Sequence, residues 1–213
     1  SDVVVLTGAG RAFCAGGDVA WFQAMIDDPA AFRRLVPEAK KIVFDLLDLE
    51  KPIICRLNGA AAGLGATLAL LCDVIVAADT AKIGDPHVRM GLVAGDGGAV
   101  IWPQLVGYAR AKELLLTGDM LTAHEAERIG LINRVVPAAE LDAAVSGLAE
   151  KLAGGTTLAV RWTKTVVNIP LKELAHTLMD ASLAYEMASN ETADHQEAVT
   201  AFREKRTPRF TGR

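Results

Sequence analysis

Cysteine, aromatic residues and net positive charge are all scarce in this chain of 213 residues. The three cysteines, Cys14, Cys55 and Cys72, are odd in number and form no C-x-x-C pair. That pattern argues against a disulfide framework or a zinc site, and for reduced thiols in a cytoplasmic compartment, each a small core residue. Lys and Arg total 22 against 26 Asp and Glu, a formal charge of −4, so there is no global basic field to hold a nucleic-acid backbone. Long apolar runs are missing too. The longest uncharged stretch, sixteen residues between Arg56 and Asp73, contains Asn58, Thr67 and three glycines and falls short of the roughly 20 residues of a bilayer span. No membrane helix is expected. The chain opens Ser-Asp-Val-Val-Val, without initiator Met, basic n-region or cleavage site, which reads as a start in mid-fold with no signal peptide.

What the chain does have is material for a core. Hydrophobic residues make up 51% and charged residues 23%, a balance that excludes disorder and suits one sizeable packed unit. Val3 to Leu6 is a β-branched run closed by Thr-Gly-Ala-Gly, which predicts a buried strand ending in a glycine loop, with a helix after Asp18. Pro52 to Leu57 repeats the pattern: a strand, then Asn58-Gly59, then Gly63-Leu64-Gly65 opening an apolar helix to Leu71, then a strand at Val74 to Ala77. Strand, glycine turn and helix in alternation predict an α/β fold with ligand-binding loops at strand ends and helix N-termini. Later, Leu141, Ala144, Val145, Leu148 and Leu152 recur at helical spacing, as do Leu171, Leu174, Ala175, Leu178, Ser182 and Tyr185. The expected layout is an α/β core over residues 1–137 and a helical subdomain over 138–213, in one continuous unit whose boundary is softest near Gly107 to Thr122.

Neither glycine string is a phosphate-binding P-loop, and Gly8-Ala9-Gly10 alone is weak evidence for a dinucleotide site. Glycines of this kind let backbone N–H groups approach a ligand oxygen, and two such loops can serve one oxyanion. The plain alternative is a pair of ordinary turns. The string Thr7-Gly-Ala-Gly-Arg-Ala-Phe-Cys-Ala-Gly-Gly-Asp18, followed about forty residues on by Asn58-Gly-Ala-Ala-Ala-Gly-Leu-Gly65 and Cys72-Asp73, resembles the enoyl-CoA hydratase/isomerase (crotonase) family. The likeness continues through Arg89 to Gly98, Leu116 to Gly118, Ala123 to Leu131 and Val135 to Pro137, and ends in Phe202 to Gly212. It implies a crotonase-like (ClpP/crotonase) fold of repeated ββα units with a C-terminal helical subdomain. Family members usually begin earlier, so a segment that helps frame the CoA pocket is expected to precede Val3. The resemblance further implies an acyl-CoA substrate with no separate cofactor and no metal, and a homotrimer or dimer of trimers. It makes Ala15 and Leu64 the donors to the thioester oxygen. Gly16, Gly17, Asp18, Gly63 and Thr67 are then substrate contacts.

The chain departs from the hydratase pattern at two points. The family's hydratases set two glutamates against the substrate, and the matching positions here are Thr67 and His87. Thr67 can act as neither acid nor base. His87 can, because imidazole titrates near neutrality. Asp96 follows nine residues later, a spacing similar to that of the family branch that cleaves cyclic β-diketones, and a carboxylate there could orient the ring. The alternatives are an N-cap for a helix from Gly97 to Leu105 in the case of Asp96, and a solvated side chain in the case of His87. Asp18 reads as a cap for the helix after it, Cys14 as a buried thiol, and His124, His176 and His195 as surface residues in charge-rich stretches. Arg203, Lys205, Arg206, Arg209 and Arg213 form a basic tail, which is either a solvated helix end or, by the resemblance, a contact for the CoA phosphate.

Three functions stay open on these residues: a hydratase or isomerase using His87 with Asp96, a hydrolase of ketones or thioesters, and an acyl-CoA binder without catalysis. With both glutamates replaced, hydration of a short enoyl-CoA is expected to run about 10²–10⁴-fold below a two-glutamate hydratase. A spectrophotometric hydration assay checks this, and a rate matching such an enzyme would show that the two positions are misassigned.

Overall fold

The computed structural model describes residues 2–213. After β1 (Val4–Thr7) the first glycine string leads into α1 (Val19–Asp27) and α2 (Pro29–Asp48). Each helix starts where an aspartate takes up amides that have no helical partner. Asp18 accepts from Ala20 at 2.7 Å, and Asp28 from Ala31 at 3.2 Å. Then come β2 (Ile53–Leu57), the short β3 (Ala61–Ala62), α3 (Leu64–Leu70), β4 (Val74–Ala78) and β5 (Lys82–Gly84). A 3-10 turn over His87–Met90 precedes α4 (Gly98–Thr117), which is interrupted at Gly107 with φ 76°. The remaining elements are β6 (Met120–Thr122), α5 (Ala123–Arg128), β7 (Arg134–Val136), a second 3-10 turn over Ala138–Glu140, α6 (Leu141–Ala153), α7 (Thr157–Asn190) and α8 (Ala193–Glu204).

Two sheets result. The first has the order β1-β2-β4-β7 and is parallel throughout; the second has the order β3-β5-β6, with β5 and β6 antiparallel. Strands flanked on both sides are buried on both faces, which is why β2 and β4 read as unbroken apolar runs. The first strand was expected to be buried as well. It lies at the sheet edge, and Val5 keeps 42% of its surface exposed.

Leu141 and Val145 of α6, and Ala175, Met179 and Leu183 of α7, join the same apolar core as β2 and β4. The expected inward row on α7 ended at Tyr185, but Tyr185 is exposed and the row instead runs through Met179, Ser182, Leu183, Glu186 and Asn190. At 3.6 residues per turn, a row that starts at Ala175 reaches 179, 182, 183 and 186 and passes beside 185. On its outer side α7 leaves Leu158, Trp162, Val166 and Ile169 exposed. Among the described residues no helix is long and apolar enough to cross a membrane.

The two glycine strings are tied together by one side chain. Asn58, just after β2, accepts from the Gly8 amide at 3.0 Å and the Thr7 hydroxyl at 3.2 Å, and donates to the carbonyls of Gly10 at 3.1 Å and Ala12 at 3.2 Å. Gly59 makes room for this, since a Cβ there would lie 2.0 Å from the Arg11 carbonyl oxygen. Asn58→Ala leaves several partly buried groups unpaired and is expected to lower stability by ~1–3 kcal/mol. The urea midpoint of the purified variant measures this, and Asn58→Asp, which keeps the acceptor alone, should fall between the two.

Candidate active site

Gly63, with φ +56°, turns the chain from β3 into α3 and puts Leu64 at the first helical position, where an amide has no partner inside the helix. The first glycine string is held alongside by strand-like pairing. Cys14 forms a bridge with Ala61, the Cys14 amide donates to the Ala60 carbonyl at 3.1 Å, and the Ala62 amide donates to the Cys14 carbonyl at 2.9 Å. Gly65 allows α3 to sit directly on this loop, because a Cβ there would meet the Cys14 carbonyl oxygen at 2.2 Å. The Ala15 and Leu64 amides make no hydrogen bond to any acceptor among the described residues, and both residues line a cavity of about 830 Å³. Gly16, Gly17, Asp18 and Gly63 line it too. Gly16, at φ +85°, passes so close to Ala62 that a Cβ would sit 3.0 Å from its carbonyl oxygen.

His87 opens the 3-10 turn and packs against the second loop, its Cε1 lying 3.1 Å from where a Gly63 Cβ would be. Both ring nitrogens face carboxylates. Nδ1 bonds Asp85 Oδ1 in a short contact, and Nε2 lies 3.4 Å from Asp96 Oδ2. Burial disfavours the charged ring, but the Asp96 charge and the hydrogen bond to Asp85 outweigh it and lift the imidazole well above its usual pKa. Both contacts favour the protonated ring. The sequence placed Asp96 behind the ring; that position belongs to Asp85, which is 1% exposed, while Asp96 stands on the cavity side. Asp96 does not cap α4, whose cap is Gly97 at φ 120° with no side-chain bond. Thr67 lies apart from the cavity wall. It is fully buried, and its hydroxyl donates to Asp96 Oδ1 at 3.3 Å, so it braces the carboxylate.

Two residues of the cluster went unread in the sequence. Asp85 was signalled only by its place two residues before His87. Glu186 comes from α7, far along the chain, and its sole signal is a carboxylate in an inward helical row. It is 7% exposed and lines the cavity, and its Oε2 has no partner among the described residues. Burial, reinforced by the Asp96 charge, pushes its pKa up to about 8 against the pull of His87. Glu186 therefore carries a proton at neutral pH. Ligand atoms of Asp85, His87 and Asp96 lie within 4.8 Å of one another, a spacing open to a cation, yet each ring nitrogen already faces a carboxylate oxygen.

His195 is a correction. Read as a surface residue, it is fully buried, bonds the Met90 carbonyl through Nδ1 at 2.6 Å, and is kept neutral chiefly by burial. The charged residues beside it, Asp194 and Glu197, are half-buried and accept from backbone amides of the C-terminal tail. His124 and His176 are exposed, and Cys14 lines the cavity rather than the core alone. Of the basic tail only Arg206 reaches the cavity wall, held by Glu197 at 2.8 Å and Glu204 at 2.6 Å.

The family model described as enoyl-CoA hydratase/isomerase matches residues 1–213. The chain belongs to the crotonase family. It is similar to the 1,2-epoxyphenylacetyl-CoA isomerase of Escherichia coli K12, 37% identical over 212 residues that cover 99% of this chain and 81% of that protein. Among solved structures, an enoyl-CoA hydratase/isomerase from Mycobacterium paratuberculosis superposes with TM-score 0.89 at 36% identity, covering 94% of this chain and 80% of that one. A β-diketone hydrolase from Anabaena, bound to (S)-3-oxocyclohexyl acetic acid, gives TM-score 0.83 at 32% identity over 89% of this chain and 76% of that one. The fold is thus the α/β crotonase fold, with two sheets and C-terminal helices, and the protein is an enzyme of the hydratase/isomerase family.

Glu186 makes stability depend on pH. Its folded pKa of about 8 lies above the ordinary 4.5, so folding takes up a proton between those values. The stabilisation is complete below pH 4.5 and is lost as pH rises through about 8. Glu186→Gln mimics the protonated acid without titrating. It should flatten the decline, and denaturation midpoints measured from pH 5 to 9 should show it gaining on the wild type at the alkaline end.

Proposed function

We propose that this crotonase-family enzyme moves a proton on an acyl-CoA through an enolate held by the Ala15 and Leu64 amides, with Asp96 as the base, His87 as the residue that positions it and Glu186 as the acid. The observation that carries the reading is one cavity lined both by two unpartnered amides and by members of an ionisable cluster, His87, Asp96 and Glu186. A thioester oxygen between the two amides gains negative charge as Cα loses its proton, and each preorganised donor contributes about 3–4 kcal/mol at that stage. Asp96 Oδ2 takes the Cα proton, and the electron pair moves onto the thioester oxygen. His87, anchored by Asp85, holds Asp96 in place. Glu186, already protonated, donates to a carbon further along an unsaturated acyl chain and so completes a double-bond shift. The similarity to an isomerase of an epoxyphenylacetyl-CoA supports a CoA ester as the substrate. A plain acyl-CoA binder has no use for four buried ionisable groups at the thioester.

A second reading, hydrolysis of a carbon–carbon bond next to a ketone, is favoured by the likeness to the β-diketone hydrolase and by the nine-residue spacing of His87 and Asp96. There the same cluster would activate water.

Deuterium uptake at Cα of butyryl-CoA in D2O, followed by mass spectrometry, separates the two. Uptake is expected in the wild-type enzyme and should fall about 10²–10⁴-fold in Asp96→Asn and in His87→Ala. The double variant should be little worse than either, because the two act as a unit. Absence of uptake together with release of a carboxylic acid from a cyclic β-diketone would replace this reading with the second.

A further inference from the structure

The chain holds few aromatic residues, 5% of the total, yet three of them meet on one wall of the cavity. Trp21 and Phe22 of α1 lie with ring centroids 5.4 Å apart at 63°, and Trp21 and Phe32 of α2 lie 6.0 Å apart at 67°. Both contacts are edge-to-face. The group is anchored at the oxyanion loop, because the Phe22 ring fills the space beside Gly17, where a Cβ would be 2.6 Å from Cζ. Its other flank is fixed by the buried His195 ring, 5.8 Å from Phe22 at 83°. Phe32 is 9% exposed, whereas Trp21 keeps 37% of its surface open. Below them Val36 and Ala39 continue the lining of α2 at one helical turn after Phe32 and at two.

We infer that the acyl end of the cavity is shaped for a six-membered ring, so that the substrate is an acyl-CoA bearing an aromatic or alicyclic ring in preference to a linear chain. This rests on the acyl-CoA reading above and narrows it. Aromatic walls that already meet edge-to-face at about 4.5–7 Å accept a further flat or chair-shaped ring in the same geometry. A ring also has few rotors to freeze, while a linear chain of equal carbon number loses freedom at every bond. Phe22 packs on Gly17, two residues after Ala15, so the aromatic wall adjoins one of the two proposed donors.

The test compares cyclohexylacetyl-CoA with octanoyl-CoA, which have the same number of acyl carbons and α-hydrogens of similar acidity. Wild-type kcat/KM for Cα deuterium uptake should favour the ring by at least about tenfold, since even one methylene in an apolar pocket discriminates on that scale. In Trp21→Leu the ring-to-linear ratio should fall about 3- to 10-fold, with Phe32→Leu as a second variant. Calorimetric Kd values for the two thioesters should follow the same order. Equal or reversed preference with uptake intact overturns the ring and leaves the enolate reading standing. If no thioester shows uptake, the enolate reading fails, and the Kd ratio alone then decides the ring: tenfold in its favour upholds it, and parity removes it.

Discussion

The contact on which the site depends is the packing of the first turn of α3 on the Cys14–Ala15 backbone. Two chain segments about fifty residues apart bring their amides to one cavity wall because Gly65 has no side chain to hold them apart and because Asn58 pins the first loop to the second. Hydrogen bonds from Cys14 to Ala60 and from Ala62 to Cys14 set the register. The rest of the molecule acts as support. The parallel sheet fixes Asn58 at the end of β2, and the second sheet carries β5 straight into Asp85 and His87.

Beside the second glycine loop stands an electrostatic arrangement that would be costly if any member were left alone. Three carboxyl groups and an imidazole share a space nearly closed to water. The imidazolium is stable there because carboxylates meet both of its nitrogens, and Glu186 avoids adding a third negative charge by keeping its proton. Thr67 contributes from behind the wall. Its hydroxyl steadies Asp96, the carboxylate that lines the cavity.

What could be read in the sequence was what is local. The glycine strings, the strands at β2 and β4, the cap at Asp18 and the pairing of His87 with Asp96 are signalled by neighbours within about ten residues. Glu186 and His195 are not. Both belong to long helices whose polar residues mostly face water, and only the docking of α7 and α8 against the loop that carries His87 decides that these two point inward. The edge position of β1 and the row that passes beside Tyr185 were hidden for the same reason: both are set by neighbours the local pattern does not contain.

The two donors proposed for the oxyanion are main-chain groups, and on that proposal charge stabilisation is separate from selection. Side chains at Ala15 and Leu64 can change without removing an N–H, and the aromatic wall on α1 and α2 can be recast without touching the Gly65 contact. The scaffold therefore keeps its electrophile-binding geometry constant while its choice of acyl group is free to drift. An engineer seeking a new substrate would leave the two glycine loops alone and rebuild Trp21, Phe32 and their neighbours.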